Sequence, residues 1–369
     1  MKKVFSLVVL IVLVTLAYQL TQKTDLLKDP VVAEPQGTLL ADVAVIASNL
    51  EIPWDIAFLP GGDMLVTERT GALLHITKSG TTTEVTIKRA ETRGESGLLG
   101  VVAHPNFAQN KYIYVYMTSP GESGETENRV ERYKFENGAL SDEKMIVSGI
   151  PGATYHDGGR MAFGPDGLLY ITTGDATRGA IAQDKNSLGG KILRLTDDGS
   201  IPSSNPFGTA VYSYGHRNPQ GLAWDSAGNL WETEHGPTGE SGRCCRDEVN
   251  QITAGANYGW PTIIGDETKA GMQNPAAHSG DGTWAPASAA IIGSKIYFGG
   301  LMGKALYSGT IEGTKVTNIQ EHFKGEYGRI RTVLVGPEGY LYLTTSNRDG
   351  RGSPSDGDDK IIRVNPAAL

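Results

Sequence analysis

Residues 162–171, Ala162-Phe163-Gly164-Pro165-Asp166-Gly167-Leu168-Leu169-Tyr170-Ile171, decide how the chain is read. An apolar pair meets a Pro/Gly/Asp turn and passes into a second apolar run, the pattern of two short strands joined tightly. The phrase recurs as Ala57-Phe58-Leu59-Pro60-Gly61-Gly62-Asp63-Met64-Leu65-Val66 and as Leu334-Val335-Gly336-Pro337-Glu338-Gly339-Tyr340-Leu341-Tyr342-Leu343. Weaker copies are Val101-Val102-Ala103-His104-Pro105 running into Tyr112-Ile113-Tyr114-Val115, and Leu222-Ala223-Trp224-Asp225 running into Gly228-Asn229-Leu230-Trp231. Turn centres at Pro60, Pro105, Pro165, Asp225 and Pro337 stand 45, 60, 60 and 112 residues apart. The last gap holds one unmarked copy, Ala290-Ile291-Ile292-Gly293 into Lys295-Ile296-Tyr297-Phe298. The count is six.

A single small sheet cannot cover both of its faces, whereas six around an axis cover one another and leave only short edges. The expected fold is therefore all-β: a six-bladed β-propeller of four-stranded antiparallel blades over residues 41–369. A β-solenoid is set aside because its rungs are shorter than 45 residues. The strand Lys360-Ile361-Ile362-Arg363-Val364 is expected to pair with Val43-Ala44-Val45-Ile46 and close the ring. The 48 glycines and the scarcity of helical periodicity agree with many strands and turns. A net charge of −8 argues against a sequence-independent nucleic-acid binder.

Residues 1–20 read as a secretory signal peptide or an N-terminal anchor. Lys2 and Lys3 precede an apolar run of 14 residues, Val4 to Ala17, short of the roughly 20 that a bilayer span needs. With cleavage after Ala17, the protein is expected to be periplasmic or secreted with no membrane span. Residues 21–40 read as a flexible linker. The only cysteines, Cys244 and Cys245, are adjacent. They form no metal-ribbon or haem-attachment motif, and could close a ring, pair with another chain or stay reduced. A rigid loop clamp beside a site and two incidental thiols are both open readings.

The informative residues are those the repeat does not require. His156, in Tyr155-His156-Asp157-Gly158-Gly159-Arg160, is a loop imidazole able to take a proton or a simple surface histidine. Arg217 and Asn218, in Gly215-His216-Arg217-Asn218-Pro219-Gln220-Gly221, offer a planar cationic fork and an amide, or merely tie down a loop. Glu234-His235-Gly236-Pro237, Asp247-Glu248 and Asn257-Tyr258-Gly259 combine acidic groups with turn carbonyls, suited to a hard cation such as calcium or to a hydrogen-bonded turn. Arg329 and Arg331 stand two apart and project from one strand face, fit for a polycarboxylate ligand or for solvent. Glu95, before the second copy, is a site carboxylate or a polar turn residue. These clusters are all expected immediately before a copy's first strand, so that they converge on one end of the channel.

Taken in order, these residues make the chain resemble the soluble glucose/sorbosone dehydrogenases, and within them the periplasmic aldose sugar dehydrogenases that use pyrroloquinoline quinone (PQQ). The resemblance covers about residues 40–366 and rests on Ile52-Pro53-Trp54-Asp55, Gly97-Leu98-Leu99-Gly100, His156 with Gly159-Arg160, Gly215 through Gly221, Asn257-Tyr258-Gly259-Trp260-Pro261 and Arg329-Ile330-Arg331. It implies a six-bladed propeller that oxidises aldoses at the anomeric carbon to lactones, with His156 as base and hydride passing to PQQ. It implies that Glu95, Arg217, Asn218, Arg329 and Arg331 bind PQQ. It implies that Gly236, Pro237, Glu248 and Tyr258 hold calcium. An unidentified electron acceptor (quinone, cytochrome or dye) is expected, in a monomer or homodimer. Two departures stand out. Met302, with Lys304 two residues on, occupies the place of a family lysine, and the loop Thr238–Arg246 is expanded. A calcium-dependent lactonase and a non-catalytic carbohydrate- or protein-binding propeller are the competing readings.

Overall fold

The computed structural model describes residues 42–121 and 124–369; the expected signal and linker lie outside them. Twenty-four strands form six four-stranded sheets. The chain enters on β1 (Val43–Ala47). The first blade holds β2 (Pro53–Phe58), β3 (Met64–Glu68), β4 (Ala72–Ile76) and β5 (Thr82–Thr86). The second holds β6 (Leu98–Ala103), β7 (Tyr112–Pro120), β8 (Thr126–Glu136) and β9 (Ala139–Pro151). The third holds β10 (Met161–Phe163), β11 (Leu169–Thr173), β12 (Lys191–Leu195) and β13 (Val211–Tyr214). The fourth holds β14 (Pro219–Trp224), β15 (Leu230–Glu234), β16 (Glu248–Ile252) and β17 (Ala277–His278). The fifth holds β18 (Pro286–Ile292), β19 (Lys295–Gly300), β20 (Ala305–Glu312) and β21 (Lys315–His322). The sixth takes β22 (Ile330–Val335), β23 (Leu341–Thr345) and β24 (Ile361–Val364), and its outermost strand is β1, with Val43 opposite Val364 and Val45 opposite Ile362. Every pairing within a blade is antiparallel, so the six-bladed propeller and its closure are as the repeats require.

The repeated phrase folds identically in four of its copies. Leu59, Gly164, Asp225 and Gly336 each donate their amide to the carbonyl four residues on, at 2.7–3.0 Å. The turn glycines Gly62, Gly167, Gly228 and Gly339 all have φ between +76° and +96°, a region that side chains rarely adopt.

Six hydrophobic clusters lie one at each blade interface, which is why no blade stands alone. Leu65, Leu98 and Val115 join the first two blades, for example, and Val66, Ile361 and Tyr342 join the sixth to the first. Buried hydroxyls add stitches. Thr67 donates to the Leu99 carbonyl, Thr233 to Ala287, Ser288 to Val333 and Thr332 to Trp54, at 2.5–3.0 Å. The last of these crosses the seam where the ring closes. The innermost strands are buried on both faces, so their polar residues must find such partners.

Candidate active site

In four blades the residue that opens the first strand lies beside the one that ends the second, and in the other two it lies within three residues of that end. Pro53 faces Glu68, Pro219 faces Glu234 and Ile330 faces Thr345. Loops preceding first strands and loops following second strands therefore share one end of the ring. The sequence reading puts every cluster before a first strand. That holds for Glu95, His156, Arg217, Asn218 and Arg329. It fails for Gly236 and Pro237, which follow β15, and for Glu248, which opens β16. The same geometry brings in Arg69 after β3, Asp175 after β11 and Asp349 after β23, which the sequence reading missed. Their signal was the mirrored position in the hairpin.

His156 has φ +64°, a conformation that costs a non-glycine residue about 1–3 kcal/mol unless its surroundings enforce it. They do. Its carbonyl accepts from Ala176 at 3.2 Å, and a Cβ on Gly174 would lie 1.9 Å from that oxygen. Its amide donates to Glu95 Oε2 at 3.2 Å. Its Nδ1 stands 2.7 Å from Asp175 Oδ1, while Asp175 Oδ2 accepts the Trp260 indole N–H at 2.7 Å. Asp175 is in turn anchored by its amide on the Arg217 carbonyl at 2.8 Å. Gly158, two residues past His156, donates to Asn218 Oδ1 at 3.0 Å, and Asn218 Nδ2 is buried without a partner. His156, Asp175, Arg217 and Asn218 thus form one connected group.

The arginines gather around one carboxylate. Arg329 donates through Nε and Nη2 to Asp349 Oδ2 at 2.9 and 2.7 Å. Arg331 reaches Gln220 Oε1 and Ser346 Oγ at 3.2 Å, and lies 3.8 Å from Asp349. Burial, with Arg69 and Arg329 nearby, lowers the Arg331 pKa to about 9. Glu95 pairs with Arg351; burial works against its charge, but His235, Arg351 and His156 hold it down at about 2. Arg217 pairs with Glu240, and its Nε is buried and unpaired. Met302 is 60% exposed and Lys304 is exposed too, and the side chain of neither makes a hydrogen bond or ion pair among the described residues. Arg160 and Asp55 form a buried ion pair, with Arg160 also donating to the Gln220 carbonyl at 3.0 Å. These two motif residues tie blades together.

Gly236, Pro237, Glu248 and Tyr258 line one small cavity together with Arg217 and Glu234. Among the described residues no hydrogen bond reaches the carbonyl oxygens of Gly236, Pro237 or Tyr258. Beside them, Asn250 Nδ2 is shared by Glu232, Glu234 and Glu248 at 3.1–3.3 Å. Burial and neighbouring carboxylates push Glu248 up to about 8 and Glu232 well above its ordinary range. Glu234 also accepts from the Arg217 amide at 2.7 Å and lies 3.2 Å from His216 Nδ1, and Glu248 accepts from the Gly265 amide at 3.0 Å, so Glu232 alone depends on Asn250. Glu232 Oε1 and Asn250 Oδ1 have no partner at all. Oxygen donors in this number suit a hard divalent cation such as calcium. Cys244 and Cys245 are joined to each other in the adjoining loop.

Fold and site define a β-propeller that gathers an imidazole–carboxylate pair, buried arginines and free carbonyls at one end of its ring. The Glucose / Sorbosone dehydrogenase family matches residues 50–362, and the chain belongs to that family. An aldose sugar dehydrogenase of Escherichia coli K12 (YliI) is 33% identical over 88% of this chain and 93% of its own length. The PQQ-bound aldose sugar dehydrogenase of Streptomyces coelicolor superposes with a TM-score of 0.80 at 39% identity, covering 87% of this chain and 97% of that one. The apo-form of the soluble aldose sugar dehydrogenase of E. coli does so at 0.78 and 31% identity, covering 88% and 99%.

Proposed function

We propose that the protein oxidises aldoses at the anomeric carbon to lactones, with PQQ and calcium bound at the end of the ring just described. The observation that carries this is the convergence of a carboxylate-anchored imidazole, His156, with two buried arginines, Arg329 and Arg331, and a set of free carbonyls at Gly236, Pro237 and Tyr258. PQQ is a flat tricarboxylate. The unpaired Arg217 Nε and Asn218 Nδ2, with Arg329 and Arg331, suit such an anion. When bound, PQQ supplies the acceptor for the hydride lost from the anomeric carbon, and calcium acts as the Lewis acid that polarises it.

The chain's own part is to orient and to move a proton. Asp175 holds the imidazole with Nδ1 protonated, leaving the Nε2 lone pair to take the proton of the anomeric hydroxyl as the C–O bond becomes a carbonyl. The resulting imidazolium is stabilised by Asp175. Glu95 ties the His156 backbone to Arg351, fixing the base relative to the arginine basin. Reconstitution tests the reading: apo-protein given PQQ and calcium should reduce a redox dye with an aldose panel and release lactone. Bound PQQ without turnover on any aldose would end the substrate assignment. Export to the periplasm rests on Lys2, Lys3 and the apolar run to Ala17, and N-terminal sequencing of the mature protein tests it.

A further inference from the structure

Arg69 is the outlier among the basin's cations. It follows β3, is 6% exposed, and its Nε is buried without a partner. Its guanidinium makes no hydrogen bond or ion pair among the described residues. The two carboxylates whose charge reaches it, Asp349 and Glu95, are already engaged. Asp349 gives Oδ2 to Arg329 and Oδ1 to the Arg351 amide at 2.9 Å. Glu95 gives one oxygen to Arg351 and the other to the His156 amide. Four arginines, Arg69, Arg329, Arg331 and Arg351, therefore stand against two carboxylates.

A guanidinium with its Nε buried and unpaired is costly, and such sites persist where a ligand completes them. The side chain cannot easily swing away. A Cβ on Gly97 would lie 2.8 Å from Arg69 Cγ and 2.2 Å from its carbonyl, so the strand before Leu98 closes directly over the arginine stem. Its backbone is held as well, by its amide on the Ile52 carbonyl at 3.1 Å and by Leu98 donating to its own carbonyl at 3.1 Å. We infer that Arg69 is a further ligand-binding residue, pairing with a carboxylate of the anionic cofactor alongside Arg329 and Arg331. The inference rests on the PQQ reading above.

The test is a PQQ titration of calcium-loaded protein by absorbance, in wild type, Arg69→Met and Arg69→Lys, with thermal melts of each in the presence and absence of PQQ. Arg69→Met should weaken PQQ at least tenfold and Arg69→Lys by less, with a shallower salt dependence in the uncharged variant. Without PQQ, Arg69→Met should melt at or above the wild-type temperature, because it removes an uncompensated charge. A variant that binds PQQ as tightly as wild type overturns the inference while leaving the cofactor reading intact. So does an apo-variant destabilised with unchanged affinity, which marks Arg69 as structural. Wild type that binds no PQQ overturns the cofactor reading itself.

Discussion

His156 Nδ1 and Asp175 Oδ1 lie 2.7 Å apart, and the second Asp175 oxygen is taken by the Trp260 indole N–H. A carboxylate only accepts, so Nδ1 carries the proton, and in the neutral imidazole Nε2 is the nitrogen with the free lone pair. Asp175→Asn puts an amide where the acceptor was and lets the other tautomer compete. We expect kcat to fall by about 10²-fold or more, with PQQ affinity within a few-fold of wild type, and the acidic limb of the kcat/KM pH profile to move. His156→Ala should bind PQQ and lose turnover. Wild-type rates in either variant would refute the proton-transfer assignment.

Asp157, beside the base, offers a stability test. Burial pushes its pKa up to about 7, and only its Oδ1 is hydrogen-bonded, to Asn128 Nδ2 and the Ala153 amide at 3.0 Å. Its folded value lies above its unfolded one. The contribution is therefore complete below about pH 4 and is lost as pH rises towards about 7, at roughly 1.4 kcal/mol per unit. Asp157→Asn removes that slope. Denaturant midpoints between pH 4 and pH 7 should fall more steeply for wild type than for the variant, and parallel curves would contradict the assignment.

The propeller was legible because its information is local. The glycines at 62, 167, 228 and 339 and the apolar pairs around them specify one turn each time. The apolar ends 43–46 and 360–364 imply the closing strand. Arg69, Asp175 and Asp349 were not legible, since their place depends on which strand end pairs with which strand start, a long-range matter. The same holds for Glu240, whose contact with Arg217 depends on how the expanded loop folds back. Arg160 and Asp55 stood in recognisable motifs, yet only the structure shows them spent on each other. The adjacency of Cys244 and Cys245 was plain, whereas the bond between them was one of three readings.

Calcium should stabilise wild type and have little effect on Glu248→Gln. Without metal, burial and the nearby Glu234 push Glu248 up to about 8 despite its bonds from the Gly265 and Asn250 amides, so Glu248→Gln removes a buried liability. With metal, the same carboxylate contributes binding energy to the folded state. Wild type should melt higher on calcium addition and lower after chelation. The variant should start at or above metal-free wild type and respond little. A variant that gains as much from calcium as wild type would remove Glu248 from the ligand set.

Arg217 is 3% exposed at its side chain and meets Glu240, which is 41% exposed and carried on the loop that ends in the cysteine pair. The loop is a closed hairpin, with Gly239 donating to the Arg243 carbonyl at 2.9 Å and Arg243 reaching the Pro261 carbonyl at 2.7 Å. An ion pair with one partner in water is weak, so an anionic cofactor can displace Glu240 from Arg217 at modest cost. Until it does, Glu240 occupies the guanidinium that the cofactor needs. Glu240→Gln should therefore tighten PQQ binding several-fold, chiefly by faster association, whereas Arg217→Met should weaken it at least tenfold. Stopped-flow fluorescence separates the two rates. If Glu240→Gln associates no faster than wild type, Glu240 is not a competitor, and the loop's contact with Arg217 serves to position the arginine.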